Sequence, residues 1–331
     1  MTNTTEWITR SVSRLRSGAS STDKAPKASK PAADKQVADG AATKVPAPRS
    51  THERLQATLR RGNESLSPRA LRRLLADLQD VVAPQVSELE GGRRAQVVAG
   101  WYGQAEPEER RDMWLLLCEQ FAPDATRFQS ARQRYEAAAG TADEGQAEIS
   151  LRRALVSPRT RLMQRFAVFP EGMRFLVDLR AELLPQLKSD KRLVALDADL
   201  EHLFTTWFDV AFLELRRLSW DSPASLIEKL IKYEAVHDIR SWADLKNRLD
   251  SDRRCYGFFH PRLPNEPLIF VEVALVDRIS SSITPLLDEA AAPADLKKAT
   301  TAIFYSISNT QPGLRGVSFG DSLIKHVVET L

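Results

Sequence analysis

The hydrophobic pattern of the chain changes its period near residue 246. Before that point apolar residues recur every three or four positions, and SLSPRALRRLLADLQDVVAP places Leu71, Leu74, Leu75 and Leu78 on one stripe. Several of these segments begin with Ser-Pro, which is typical of a helix start. After that point CYGFFH and PLIFVEVALV are short β-rich runs joined by a turn that carries Pro and Asn, which predicts a β-hairpin. The sequence therefore predicts helices over residues 51–245 and an α/β region over residues 246–331.

The last long helix predicted before the change of period covers residues 195–220, ALDADLEHLFTTWFDVAFLELRRLSW. Its large apolar residues follow helical spacing throughout. They are Leu203, Phe204, Trp207, Phe208, Ala211, Leu215 and Leu218. The connections between the predicted helices are short, which favours antiparallel neighbours in a bundle.

Residues 1–50 differ from the rest because they are rich in Ala, Pro, Lys and Ser and poor in large apolar side chains. Such a segment cannot bury enough surface to offset its ordering entropy, so we predict that it is disordered. Its opening resembles a mitochondrial transit peptide in its Arg and Ser content, but Glu6 and the later aspartates weaken that interpretation. We expect a cytoplasmic protein, with the mitochondrial matrix as the alternative.

The overall composition argues against three classes of protein. A net charge of +3 does not suggest a dedicated nucleic-acid binder. The chain has no run of about 18 apolar residues, so we expect no membrane span. Its two cysteines, Cys118 and Cys255, provide neither a disulfide framework nor a zinc spacing, and we see no cluster of metal ligands.

The strand predicted at TAIFYSIS leads into a loop with three glycines and then into the helix GDSLIKHVVETL. A helix start offers unpaired N–H groups and a positive dipole end, which together suit an anion such as phosphate. The spacing of Gly313, Gly316 and Gly320 matches neither the Walker pattern nor the dinucleotide pattern. The loop alone is therefore equally compatible with a structural turn that binds no ligand.

Two stretches, HPRLPNEPLIFVEVAL and FYSISNTQPGLRGV, closely resemble the malonyl-CoA decarboxylase family. The resemblance implies an α+β protein, with an all-helical N-terminal bundle domain followed by the first part of a GNAT-like α/β catalytic domain. It implies decarboxylation of malonyl-CoA to acetyl-CoA and CO2, a lyase reaction of fatty-acid and malonate metabolism that needs no cofactor and no metal. It also implies a homo-oligomer, a dimer or tetramer, formed through the helical domain.

The resemblance also implies roles for particular residues. Ser308, the second serine of YSIS, corresponds to the catalytic serine. The substrate-binding residues would be Ser308 together with Ser280, Ser281, Ser282, Ile283, Thr284, Pro285 and Leu286. The loop that cradles the CoA pyrophosphate would comprise Gln311, Gly313, Leu314, Arg315, Gly316 and Gly320.

The family also uses a histidine in an Asn-Phe-His segment downstream of the glycine loop, as the proton donor to the carbanion. Residues 1–331 contain no such segment, so we expect a C-terminally truncated member of the family. Two alternatives stay open: an acyl-CoA-dependent acyltransferase, and a non-catalytic helical association module with an incomplete CoA site. Acetyl transfer to an amine acceptor would favour the first alternative.

Two of the histidines, His260 and His237, have structural explanations. His260 follows an aromatic strand and precedes Pro261, so we predict that it anchors a turn by a hydrogen bond. His237, in YEAVHDI, is predicted to be a packing or helix-surface residue.

Overall fold

The computed structural model describes residues 64–319 and 322–331. Residues 1–50, for which disorder is predicted, lie outside the described part of the chain, and so does the loop residue Gly320. The helices and strands follow one another as α1 (Pro68–Val81), α2 (Glu88–Gln104), α3 (Pro107–Gln120), α4 (Ala125–Ala138), α5 (Glu144–Leu155), α6 (Pro158–Phe166), α7 (Gly172–Leu183), α8 (Val194–Trp207), β1 (Glu214–Leu218), α9 (Ala224–Tyr233), α10 (Trp242–Arg248), β2 (Arg253–Phe259), β3 (Pro267–Val276), β4 (Thr301–Asn309) and α11 (Leu323–Val328).

The Ser-Pro sequences start helices as predicted at α1 and α6. In each case the serine side chain accepts a hydrogen bond from a backbone N–H in the first turn, at Ala70 for Ser67 and at Thr160 for Ser157. The proline occupies the first helical position, where its missing N–H costs no hydrogen bond. The predicted leucine stripe of α1 is buried along its whole length. The helical part of the fold class is therefore confirmed.

The single helix predicted over residues 195–220 is wrong beyond Trp207. The chain leaves the helix at Phe208, the side chain of Asp209 accepts a hydrogen bond from the N–H of Ala211, and strand β1 then begins. Leu215 packs against the main core and Leu218 against a second cluster, as expected for opposite faces of a strand. Pairing with β2 outweighs the local helical periodicity here.

The four strands form one antiparallel sheet in the order β1–β2–β3–β4. The predicted hairpin is confirmed as β2 and β3, and the predicted anchor of its turn is confirmed as well. Nδ1 of His260 accepts a hydrogen bond of 3.1 Å from the backbone N–H of Arg262. The sheet thus begins before residue 246, while the domain division at residues 245 and 246 stays a prediction. Within the described part of the chain, β4 pairs only with β3.

The sheet lies between two layers of helices. One face joins the main core, in which Phe258, Val271 and Val273 are buried with side chains of α6 and α7. The other face packs beneath α9 and α10 through a smaller cluster formed by Leu218, Ile227, Leu230, Leu245, Cys255 and Phe270. No helix among the described residues is long and apolar enough to cross a membrane.

The corner between α6 and α7 depends on Gly172. A Cβ atom at this position would lie 1.8 Å from the carbonyl oxygen of Phe166, far inside contact distance. The two helices can therefore meet closely only because residue 172 has no side chain.

We expect Gly172→Ala to lower the free energy of unfolding by about 1–3 kcal/mol or more, because backbone rather than a flexible side chain must move. The matched control is Gly100→Ala on α2, where an added Cβ meets no atom within 4 Å. That variant should gain about 0.5–1 kcal/mol from helix propensity. Urea unfolding measures both changes in the free energy of unfolding. If the two changes had the same sign, the close packing of Gly172 against Phe166 would be contradicted.

Candidate functional site

The C-terminal half of β4 carries two buried serines on the face that α9 and α10 cover. Ser306 and Ser308 are 2% and 1% exposed, and alternate residues of a strand share a face. Their hydroxyl oxygens are 3.3 Å apart. Across the sheet they pair with Glu272 and Phe270 of β3. Strand β4 thus places two hydroxyls side by side beneath a helical layer.

The carboxylate of Glu234 fixes both serines. Glu234 follows the last residue of α9, is buried, and accepts the Ser306 hydroxyl at 2.7 and 2.8 Å on its two oxygens. The Ser308 hydroxyl donates to its Oε2 atom at 3.0 Å. The backbone N–H groups of Val236 and His237 each donate to its Oε1 atom at 2.9 Å. A buried carboxylate is stable only when it is hydrogen-bonded in this way.

Ser308 also accepts a hydrogen bond of 3.1 Å from the backbone N–H of Ala235. Its oxygen is therefore held between a donor and an acceptor from the same segment, residues 234–235. Position and hydrogen-bond direction are both defined, which is the arrangement that a hydroxyl needs to act on a bound substrate.

A second buried group of charges lies beside the serines. Arg248, the last residue of α10, donates to Oε2 of Glu272 at 2.9 Å, to Oδ1 of Asp244 at 2.8 Å and to the carbonyl of His237 at 2.7 Å. Burial raises the pKa of Glu272 from 4.5 to about 7; the Arg248 guanidinium opposes this and the nearby Glu234 adds to it. Glu272 thus gives this face a carboxyl group that titrates near neutrality.

A cavity of about 420 Å³ adjoins this cluster. It is lined by Ala235, Val236, His237, Asp238, Arg240, Asp244, Arg248, Leu287 and Glu289. Two of these lining residues connect the cavity with predicted site residues. Ala235 donates its backbone N–H to Ser308, and Leu287 directly follows the serine-rich segment that ends at Leu286. A larger cavity of about 570 Å³ lies elsewhere, against Trp207 and Arg262, and none of the residues predicted for the site lines it.

The serine-rich segment from Ser280 to Leu286 forms a loop that ends in a short 3-10 turn. Its hydroxyls bond within the loop: Ser280 donates to the carbonyl of Ser282, and Ser282 to the Thr284 hydroxyl. Ser281, Ser282, Thr284 and Pro285 are exposed, whereas Leu286 is buried against Ala274 and Tyr305. The loop is thus attached to the serine face of the sheet through its last residue, next to β4. Its role in binding substrate stays a prediction.

The predicted pyrophosphate loop has a buried and an exposed part. Gln311, Gly313 and Leu314 are buried, and a Cβ atom on Gly313 would lie 1.9 Å from the carbonyl oxygen of Val177 in α7. Glycine at position 313 therefore allows the loop to pack closely against helix α7. Arg315 and Gly316 are exposed, and Gly316 has a φ of +84°, which favours glycine. A ligand can reach the loop at this second part.

Four members of the cluster were not predicted: Ser306, Glu234, Glu272 and Arg248. A local signal existed for two of them. Glu272 is an acidic residue in the middle of the apolar run PLIFVEVALV, and Ser306 alternates with Ser308 in YSIS. Glu234 and Arg248 carry no local signal, because their partners are distant in the sequence.

The sequence matches two family models. Residues 211–331 match the malonyl-CoA decarboxylase C-terminal domain, and residues 121–208 match the malonyl-CoA decarboxylase N-terminal domain. Together the two matches cover more than half of the chain.

Individual relatives agree with these matches. The mitochondrial malonyl-CoA decarboxylase of the mouse, Mus musculus, is 36% identical over 250 residues, 72% of this chain and 51% of that protein. The goose enzyme of the same name, from Anser anser anser, is 42% identical over 186 residues, 54% of this chain and 37% of that protein. The chain thus spans no more than about half the length of these curated relatives.

Two crystal structures of malonyl-CoA decarboxylases are similar to this chain. That from Rhodopseudomonas palustris has a TM-score of 0.68 at 42% identity. That from Agrobacterium vitis has a TM-score of 0.71 at 39% identity. Each match covers 78% of this chain and 62% of the solved one. The mixed fold, helices with a small antiparallel sheet, is therefore the fold of these structures.

Glu272 should make the stability of the chain depend on pH. Its pKa is about 7 in the folded chain against an ordinary 4.5, so the folded state keeps a proton that the unfolded state releases between these values. The resulting stabilisation is complete below pH 4.5 and is lost as the pH rises through about 7. Relative to Glu272→Gln, the wild-type free energy of unfolding should fall by on the order of 3 kcal/mol across this range.

Urea unfolding at a series of pH values measures this difference. The matched control is Glu228→Gln, at an exposed position on α9, which should keep the wild-type pH dependence. Parallel curves for the wild type and Glu272→Gln would contradict the raised pKa.

Proposed function

Because the chain belongs to the malonyl-CoA decarboxylase family, we propose that it binds malonyl-CoA and acts in its decarboxylation to acetyl-CoA and CO2. The single observation that carries the proposal is the state of Ser308. This serine lies at the end of a strand, buried, with its hydroxyl held by Glu234 and by the N–H of Ala235. It is the residue that the resemblance identifies as catalytic.

Loss of CO2 from malonyl-CoA places negative charge on the thioester oxygen of an enolate. A preorganised hydrogen-bond donor aimed at that oxygen stabilises the transition state, often as the largest catalytic contribution. In our proposal the Ser308 hydroxyl is this donor, or it holds the malonyl carboxylate before the bond breaks. Burial of the site strengthens either interaction because the surroundings screen charge weakly.

The cluster allows Ser308 to change its partner at little cost. When the Ser308 hydroxyl turns from Glu234 towards substrate, the carboxylate keeps its bonds to the Ser306 hydroxyl and to the N–H groups of Val236 and His237. Glu234 therefore stays satisfied, and the N–H of Ala235 continues to position the Ser308 oxygen. We assign to this chain the serine part of the reaction. The carbanion then takes up one proton to give acetyl-CoA, from a placed acid where one is present and otherwise from solvent water.

The two alternatives are not favoured. Both family models and the two solved structures are of malonyl-CoA decarboxylases, and none of them is an acyltransferase or an association module. As further parts of the proposal, the reaction uses no cofactor and no metal, and the helical region mediates self-association. We propose a cytoplasmic location, with the mitochondrial matrix as the alternative that the names of the mouse and goose relatives favour.

We expect the purified chain to bind malonyl-CoA and to release acetyl-CoA faster than a control without protein. Ser308→Ala should lower kcat by on the order of 100-fold, because it removes one donor to the developing oxyanion, and should change KM little. Coupled assay of acetyl-CoA gives the rates, and titration calorimetry gives the affinity for malonyl-CoA.

The matched control is Ser150→Ala, which deletes a hydroxyl that donates to the carbonyl of Gln146 within α5. Its turnover should equal that of the wild type. Unchanged turnover in Ser308→Ala would refute the serine assignment. A wild-type chain that binds malonyl-CoA without releasing acetyl-CoA would refute decarboxylation by this chain alone, and absence of binding would refute the proposed substrate.

A further inference from the structure

Helix α7 contacts the predicted pyrophosphate loop at three positions, each one helical turn apart. Arg174 donates to Oε1 of Gln311 at 2.6 Å. The backbone carbonyl of Val177 packs against Gly313 so closely that residue 313 has no room for a Cβ atom. Arg180 donates to the carbonyl of Gly313. Residues at a spacing of three lie on one helix face, so a single face of α7 holds the loop from its first residue onward.

Arg180 contacts the loop at two backbone carbonyls. It is 1% exposed, and its Nη1 atom donates to the carbonyl oxygens of Gly313 at 2.8 Å and Arg315 at 3.0 Å. Its Nε atom donates to Oδ1 of Asp197 at 2.8 Å, and Glu201 lies 3.6 Å from its Nη2 atom. Both acidic residues belong to α8. A planar guanidinium held by a second helix in this way has one orientation, and it imposes that orientation on the loop.

The orientation of the two carbonyls that Arg180 binds affects whether the loop can bind a phosphate group. A carbonyl oxygen repels a phosphate, whereas a backbone N–H attracts it. By drawing the oxygens of Gly313 and Arg315 to the buried side, Arg180 removes them from the surface that a ligand meets. The chain then turns at Gly316, in the left-handed region, and presents Arg315 and Gly316 to solvent.

We infer that Arg180 is a positioning residue for the coenzyme A part of the substrate, and that the helical region shapes the pyrophosphate loop through it. This inference rests on the proposed function, because the loop is the part of the chain assigned to the pyrophosphate. Its consequence is that the helical region takes part in substrate binding as well as in self-association. Arg180 does not contact the reacting atoms, so its loss should affect affinity for coenzyme A far more than the chemical step.

Arg159 provides a matched control. It is 3% exposed and, like Arg180, donates to one carboxylate and two carbonyls. These are Asp199 at 2.8 Å, Leu117 at 3.3 Å and Ala195 at 3.1 Å, all within the helical region. Arg180→Met and Arg159→Met therefore remove the same kind of buried interaction, and only the first removes a bond to the loop.

The experiment uses the full chain in four forms: wild type, Arg180→Met, Arg180→Lys and Arg159→Met. Titration calorimetry gives the affinity for free coenzyme A, for malonyl-CoA and for malonyl-pantetheine, which lacks the pyrophosphate. Hydrogen exchange at the amides of Leu314 and Val317, which bond within the loop, reports whether the loop keeps its conformation.

We expect Arg180→Met to lower the affinity for coenzyme A and for malonyl-CoA by about tenfold or more, because the loop that binds the pyrophosphate is misplaced. The affinity for malonyl-pantetheine should not change. The loop amides should exchange fastest in this variant and at the wild-type rate in Arg159→Met. Arg180→Lys should recover part of the affinity, because an ammonium can reach one carbonyl but cannot match the fork of the guanidinium. Arg159→Met should bind all three ligands like the wild type.

Two results would overturn the inference with the proposed function intact. One is equal loss of coenzyme A affinity in Arg180→Met and Arg159→Met, which would mean a purely structural role. The other is faster loop exchange in Arg180→Met without loss of affinity. If wild-type chain binds malonyl-pantetheine but not free coenzyme A, the loop assignment fails and the inference fails with it. If wild-type chain binds none of the three ligands, the proposed function itself fails.

Discussion

The geometry of the site depends on the hydrogen bonds that the buried carboxylate of Glu234 accepts. It lies just after α9 and accepts hydrogen bonds from two hydroxyls of β4 and two backbone N–H groups of its own segment. A buried carboxylate that lost these partners would carry a large desolvation cost, so helix end and strand must keep their relative positions. The hydroxyls of Ser306 and Ser308 can be buried for the same reason, because Glu234 accepts their hydrogen bonds.

The helical region and the sheet are parts of one structure in the described residues. Side chains of α6 and α7 share a core with one face of the sheet, and Leu314 and Val317, in the loop predicted to bind the pyrophosphate, belong to that core. The other face of the sheet carries the serines beneath α9 and α10. Helix α7 thus supports the sheet and, through Arg174 and Arg180, also the loop that follows β4.

The sequence predicts those features that local chemistry determines. The Ser-Pro caps predict the starts of α1 and α6, the two β-rich runs with a turn between them predict the β2–β3 hairpin, and the turn at His260 follows from its neighbours. The helical period continued past Trp207, yet the chain there forms β1, because hydrogen bonds from β2 decide its conformation. Similarly, Glu234 reaches Ser306 across 72 positions, a contact that no local pattern contains. The resemblance supplied Ser308 but not the group that holds it.

The dependence of Ser308 on Glu234 is tested most directly by a double-mutant cycle between the two residues. Free energies of unfolding are measured for Glu234→Ala, Ser308→Ala, the double variant and the wild type. We expect an interaction energy of about 1–3 kcal/mol, as for residues in one buried hydrogen-bond network. An interaction energy near zero would mean that the two side chains are independent, and would contradict the central role of Glu234.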